Sequence, residues 1–203
     1  MKLEIHPQAK ALIFDLDGTL SDSLPVHIAS WHAVCKKLNC IFDERILIEM
    51  TGMATISFAE RIKREQNLDI DAREIVRMKQ KEFWKNVNRV KPHQAVISLM
   101  KNAHGRIPMA VGTGASRTSA MLQMQELGID HLFDAIVTAD DVERHKPEPD
   151  TFLKCAELMQ IDPKYCQVFE DGEMGMQAAR TAGMILTDVR PFVTDPYAAP
   201  ENV

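Results

Sequence analysis

Two carboxylates one residue apart, in Asp15-Leu16-Asp17-Gly18-Thr19, are the first residues of this chain whose types and spacing could do chemistry. Further along, Thr113 and the pair Glu170-Asp171 stand where apolar runs end, and Lys146 lies in the polar stretch His145 to Asp150 between two such runs. Three or four carboxylates converging on one crevice would repel one another unless a hard cation sat among them. Mg²⁺ fits, because it takes few carboxylates and keeps positions for water and phosphate oxygen. Lys146 supplies a second positive charge, and the Thr113 hydroxyl can hydrogen-bond a phosphate oxygen. Backbone N–H groups in the loop after Asp15, beginning at Leu16, and around Gly114-Ala115 can form an anion-binding nest.

The elements that must position these groups show as apolar runs. Ala11-Leu12-Ile13-Phe14 enters Asp15 without polar alternation, the pattern of a strand buried on both faces of a parallel sheet. Gly18 then turns the chain. Open α/β sheets gather ligands at the carboxyl ends of their strands. From Gln94 onward, strands are expected over 108–112, 135–137, 166–169 and 185–187. Helices are expected over 94–104, 116–127, 148–160 and 174–182. Such alternation predicts a Rossmann-like α/β core, a parallel sheet with right-handed crossovers and helices on its faces.

Between 24 and 88 no segment reads as a strand. Leu24, His27, Ile28, Trp31, Val34, Cys35 and Leu38 recur at helical spacing, and helical patterns continue over 44–50, 56–66 and 72–87. An all-helical block of that length exceeds a normal crossover. It predicts an inserted helical domain over 23–90, with a core domain formed by 1–22 and 91–203. Asp22 or Ser23 is expected to cap the first inserted helix ahead of Pro25. The tail from Pro191 to Val203, with three prolines, reads as surface-wrapping or disordered.

Composition narrows the function classes. Hydrophobic residues make up 45% and charged residues 26% of 203 residues, with a net charge of −5. No basic excess exists to bind nucleic acid, and no apolar run approaches the roughly 20 residues that cross a bilayer. Cys35, Cys40, Cys155 and Cys166 lack metal-ligand spacing and read as reduced thiols in a cytoplasmic monomer. His93, His104 and His145 likewise show no metal-ligand spacing.

In order, Asp15-Leu16-Asp17-Gly18-Thr19, Thr113, Lys146-Pro147 and Glu170-Asp171 resemble the four motifs of the haloacid dehalogenase superfamily. The resemblance spans nearly the whole chain and places the family's small cap where the helical block lies. It implies that Asp15 is a nucleophile forming an aspartyl-phosphate and that Asp17 is the acid and then the base. Asp15, Asp17 through its main-chain oxygen, Asp171 and Glu170 would hold Mg²⁺. Superfamily dehalogenases lack a carboxylate at the second aspartate, so Asp17 points to phosphoryl transfer.

Within the superfamily the chain resembles the β-phosphoglucomutase-like subgroup, through Asp22-Ser23, His27, Trp31 and the segment Glu170-Asp171 to Gly183. Two activities are then expected: hydrolysis of a small sugar or polyol phosphate, or mutase interconversion of β-glucose 1-phosphate and glucose 6-phosphate. A non-catalytic binder of a phosphorylated metabolite is a third reading. The mutase grips a second phosphate with an arginine in a cap loop. The matching loop here, Thr51 to Ser57 with Gly52, carries Thr55 instead, which favours the phosphatase. Arg45 or Arg61 would have to substitute from elsewhere in the cap. Gly172 stands where the family's fourth motif has serine. His27 reads either as a packed core histidine or as a link between the cap and Asp17. Lys79 reads as substrate-facing or as part of a solvated helix face. Trp31 reads as core, and Arg117 as the start of a helix binding a carboxylate.

Overall fold

The fold is taken from a computed structural model that describes residues 2–193. The apolar run Ala11–Phe14 forms β1, with all four side chains at 0% exposure, as a strand covered on both faces requires. Gly18 turns the chain at a φ of +91°, where a side chain would be strained. A two-residue strand β2 (Ser21–Asp22) follows. Four helices come next: α1 (Leu24–Lys37), α2 (Arg45–Met50), α3 (Thr55–Glu65) and α4 (Ala72–Lys85). The chain returns through β3 (Lys91–Pro92), which pairs antiparallel with β2, Ser21 opposite Pro92 and Asp22 opposite Lys91. Then come α5 (Gln94–Ala103), β4 (Met109–Gly112), α6 (Arg117–Glu126) and β5 (Ala135–Val137). The last elements are α7 (Asp150–Met159), β6 (Cys166–Glu170), α8 (Glu173–Thr181) and β7 (Ile185–Asp188).

Five of these strands form one parallel sheet in the order β5-β4-β1-β6-β7. The chain builds outward from β1 first on one side and then on the other, so β1 sits at the topological switch point where such sheets bind ligands. In register, Phe14 lies beside both Val111 and Phe169, so the strand ends carrying Asp15, Thr113 and Glu170 finish together. Alternate side chains of β1 feed opposite layers. Leu12 and Phe14 pack with Val96, Met100 and Met124 of α5 and α6, while Ala11 and Ile13 pack with Phe152, Cys155 and Ala179 of α7 and α8. Phe14 stacks on Phe169 with ring centroids 4.7 Å apart.

The helices between β2 and β3 close over a cluster of their own, including Trp31, Val34, Leu47, Phe58, Ile62 and Ile75. Trp31 is 1% exposed and stacks between Phe42 and Phe58, as the core reading expects. The β2–β3 ribbon at the neck of the block was not expected, because two residues carry no periodicity. The capping expectation needs correction as well. Ser23 is the N-cap residue of α1 but accepts no backbone N–H. Its backbone is already helical, and its hydroxyl donates to Asp17 Oδ1 at 2.6 Å, a charged and stronger acceptor. Among the described residues no helix is long and apolar enough to cross a membrane. Of the expected tail, Pro191 and Phe192 lie in a short 3₁₀ turn, and residues 194–203 fall outside the described residues.

A candidate active site at the carboxyl end of the sheet

The core side of the site is a buried charge cluster. Lys146 reaches in from the loop before α7 with its side chain fully buried. Its Nζ donates to Asp15 Oδ1 at 2.6 Å and to Glu170 Oε2 at 2.7 Å. Burial works against an ammonium there, but Asp15 and Glu170 outweigh it and hold Lys146 charged. The other Glu170 oxygen accepts the N–H groups of Asp171 and Gly172. Asp171 Oδ1 accepts the Thr19 hydroxyl at 2.7 Å. Asp15 Oδ2 is buried without a hydrogen-bond partner among the described residues.

Asp15, Glu170 and Asp171 each place a carboxylate oxygen within 4.8 Å of the others. One ammonium cannot neutralise three such groups. Burial, then repulsion from Glu170, pushes Asp171 up to about 8, and the same two causes raise Asp15 well above the usual carboxylate range. A hard divalent cation fits this donor set, since it would partner the orphaned oxygen and relieve the repulsion. The cluster does not include the Asp17 side chain.

Asp17 sits one residue away in the opposite environment. Its Oδ1 accepts from Ser23 Oγ at 2.6 Å, His27 Nε2 at 2.8 Å and Gln123 Nε2 at 3.0 Å. Burial alone would raise its pKa, but His27 and the other two donors hold it well below the usual carboxylate range. Behind His27 lies Lys79, 4% exposed, with Nζ 2.5 Å from His27 Nδ1. An ammonium can only donate, so Nδ1 accepts and the ring proton sits on Nε2, directed at Asp17. Burial followed by the nearby Lys79 charge lowers the His27 pKa, keeping the ring neutral, and burial brings Lys79 down to about 8. His27 therefore joins both readings: it stacks on Phe83 at 4.4 Å and also links α1 to Asp17. Lys79 is not on a solvated face.

Between the sheet and the helical block lies an open crevice. Asp15, Asp17, Thr113, Gly114 and Ala115 line its core side, and His27, Gly52, Thr55 and Lys79 line the other. Thr113 Oγ1 accepts the Ala115 N–H at 3.0 Å, which leaves the hydroxyl proton free to donate. The Leu16 side chain points into the core, and its carbonyl accepts from Leu20 and Ser21. Neither Arg45 nor Arg61 lines the crevice; Arg45 pairs with Asp43, and Arg61 with Glu49 and Glu65. Arg117 opens α6 and binds Asp141 at 2.7 Å, as expected. At Gly172 an added Cβ would lie 2.7 Å from the Thr51 carbonyl, and at Gly114 2.7 Å from that of Met53, so the 51–53 loop rests directly on these two glycines.

Sequence reasoning missed Ser23, Gln123 and Thr19. Thr19 belongs to the first motif and had a signal. Gln123 had none, being one polar residue within a helix.

Known proteins resemble this chain in sequence and in fold. A family model described as haloacid dehalogenase-like hydrolase matches residues 12–189. Fructose-1-phosphate phosphatase YqaB of Escherichia coli (strain K12) is 41% identical over 92% of this chain and 99% of its own length. Beta-phosphoglucomutase of Bacillus subtilis (strain 168) is 25% identical over 89% of this chain and 83% of its own. Among solved structures, CbbY from Rhodobacter sphaeroides in complex with phosphate superposes with a TM-score of 0.80 at 23% identity, covering 94% of this chain and 91% of that one. With its motif residues gathered at the switch point of a parallel sheet, the chain belongs to the haloacid dehalogenase-like hydrolases.

Proposed function

We propose that the protein is a Mg²⁺-dependent phosphatase of small sugar or polyol monophosphates, working through an aspartyl-phosphate on Asp15. The observation that carries this reading is the Asp15 carboxylate, with Oδ1 tied to Lys146 and Oδ2 buried and unpartnered. Mg²⁺ would be held by Asp15, the Asp17 main-chain oxygen and Asp171 beside Glu170, and when bound it supplies charge neutralisation for an anionic carboxylate meeting an anionic phosphate.

Asp15 attacks phosphorus through a carboxylate oxygen, and the bond from phosphorus to the sugar oxygen breaks, its electron pair leaving on that oxygen. Asp17 gives the departing alkoxide a proton. Water then attacks the aspartyl-phosphate, Asp17 takes its proton, and phosphate leaves with the Asp15 carboxylate restored. Lys146 steadies Asp15 throughout, while the Thr113 hydroxyl and the main-chain groups near Leu16, Gly114 and Ala115 hold the phosphoryl oxygens. Asp17 is ionised before substrate arrives, which suits the base role. A phosphate ester settling beside it adds like charge, which raises a carboxylate pKa, so uptake of the proton accompanies substrate binding.

Residues 23–90 act as a cap that closes on the crevice, with His27, Gly52, Thr55 and Lys79 facing the sugar. Among the described residues the walls hold no guanidinium, so a second phosphate lacks a bidentate partner, which favours hydrolysis over mutase chemistry. The similarity to a fructose-1-phosphate phosphatase supports the same side. Four free thiols, three of them buried, suit a reducing cytoplasm.

The deciding experiment supplies Mg²⁺, a panel of hexose and hexitol monophosphates, and β-glucose 1-phosphate. Release of inorganic phosphate is expected. Formation of glucose 6-phosphate without phosphate release would make the protein a mutase, and binding without turnover across the panel would make it a binder.

A further inference from the structure

We propose that Gln123 is a positioning residue for proton transfer, fixing by its buried amide which oxygen of Asp17 faces the crevice. The inference rests on the reading of Asp17 as acid and base. Gln123 lies in the middle of α6 at 0% exposure, a place where an apolar side chain would cost less to bury. Its amide is satisfied at both ends. Nε2 donates to Asp17 Oδ1 at 3.0 Å, and Oε1 shares the single Ser21 hydroxyl proton, at 3.0 Å, with the Leu16 carbonyl at 2.9 Å. The orientation is forced, because an ionised carboxylate accepts only and the NH₂ end must face it.

All three donors to Asp17 converge on the same oxygen, Oδ1. Ser23 and His27 belong to the entry into the helical block and to its first helix. Gln123 alone comes from a helix packed on the sheet, the body that also carries Asp17. With Oδ1 held by three donors, Oδ2 is the oxygen left to exchange a proton with the leaving alkoxide or with water. Without the amide, the carboxylate keeps two donors that both come from the cap side. It is then free to rotate about its Cβ–Cγ bond whenever those donors shift. Gln123 touches neither substrate nor metal in this scheme; it acts through Asp17.

The test reads kcat/KM, which reports the step that expels the leaving group, for a hexose monophosphate and for 4-nitrophenyl phosphate. The second leaving group needs little protonation. Gln123→Leu should lower kcat/KM for the sugar phosphate about 10-fold and for the nitrophenyl ester less than about 3-fold, a modest share of what general acid catalysis supplies. Equal losses on both substrates, or no loss on either, overturns the proposal. Asp17→Asn, measured alongside, separates the two levels. A selective loss there with none for Gln123→Leu removes Gln123 alone, whereas an unselective loss there removes the acid role and this inference with it. If Gln123→Leu does not give a cooperative thermal melt, Ser21→Ala decides. By freeing the other end of the amide it should produce the same selective loss, at about 3-fold, and its absence overturns the proposal.

Discussion

Asp15 and Asp17 are separated by one residue, yet they occupy opposite electrostatic environments. Asp15 faces into the core among Glu170, Asp171 and Lys146, with one oxygen unpartnered and a pKa pushed upward by burial and like charge. Asp17 faces the helical block, with three donors on one oxygen and a pKa held down. The strand's side-chain alternation does not separate them, since both lie beyond β1 and would share a face. The turn at Gly18 and the donors arriving from α1 and α6 separate them. Under the proposed mechanism, two chemically identical side chains take different work: the one short of partners forms the bond to phosphorus, and the one rich in partners manages the proton.

The sharpest way to break this contrast is to neutralise each carboxylate in turn. Asp15→Asn should abolish turnover, by about 10³-fold or more, while the thermal melt stays cooperative. Retention of more than trace phosphate release would remove Asp15 as nucleophile. Asp17→Asn should cost about 10²–10⁴-fold on alkyl phosphates and far less on 4-nitrophenyl phosphate in kcat/KM. Lys146→Met strands two buried carboxylates, and denaturant unfolding should show a loss of about 3–5 kcal/mol. A loss within about 0.5 kcal/mol, the range of ordinary surface substitutions, would mean that the cluster is not held by its ammonium.

Gentler tests sharpen the same contrast. Adding Mg²⁺ to chelator-treated protein should raise Tm by several degrees and restore activity, because a cation that binds only the folded cluster stabilises it. Asp171→Asn should blunt that rise, whereas His27→Gln, on the Asp17 side, should leave it intact. A rise lost equally in both variants would place the cation elsewhere. The smallest effect belongs to Asp141, a carboxylate in neither environment. Burial raises its pKa, but Arg117 and Thr138 outweigh that and hold it below 3.8. Its stabilisation is therefore complete above that value and is lost as pH falls through the depressed one. Asp141→Asn should cost about 0.5–1 kcal/mol at pH 7, and the difference from the parent protein should vanish in acid.

Much of this was legible in the residues themselves. Long-range order announced itself wherever a buried strand ran into a polar cluster, so Asp15, Thr113 and Glu170-Asp171 could be placed at strand ends from the apolar runs before them. The parallel sheet and the helical insertion followed from the change of period near Gln94. What stayed hidden has a common physical origin. Ser23 has the composition of a helix cap, and only three-dimensional proximity to an anion redirects its hydroxyl. Gln123 looks like any polar helical residue until α6 is laid against β1. Gln123 depends on a partner distant in the chain, and Ser23 on one that is close but lies across a turn.

The seating of the 51–53 loop on Gly114 and Gly172 bears on how such enzymes can be recombined. A serine at 172, as the family motif has it, needs room that the Thr51 carbonyl occupies here. The 51–53 loop and position 172 therefore have to match in shape, although more than a hundred residues separate them in the chain. A chimera that moved residues 23–90 of this protein onto a relative bearing that serine would inherit a misfit at the rim, and carrying Gly172 across with the cap would remove it.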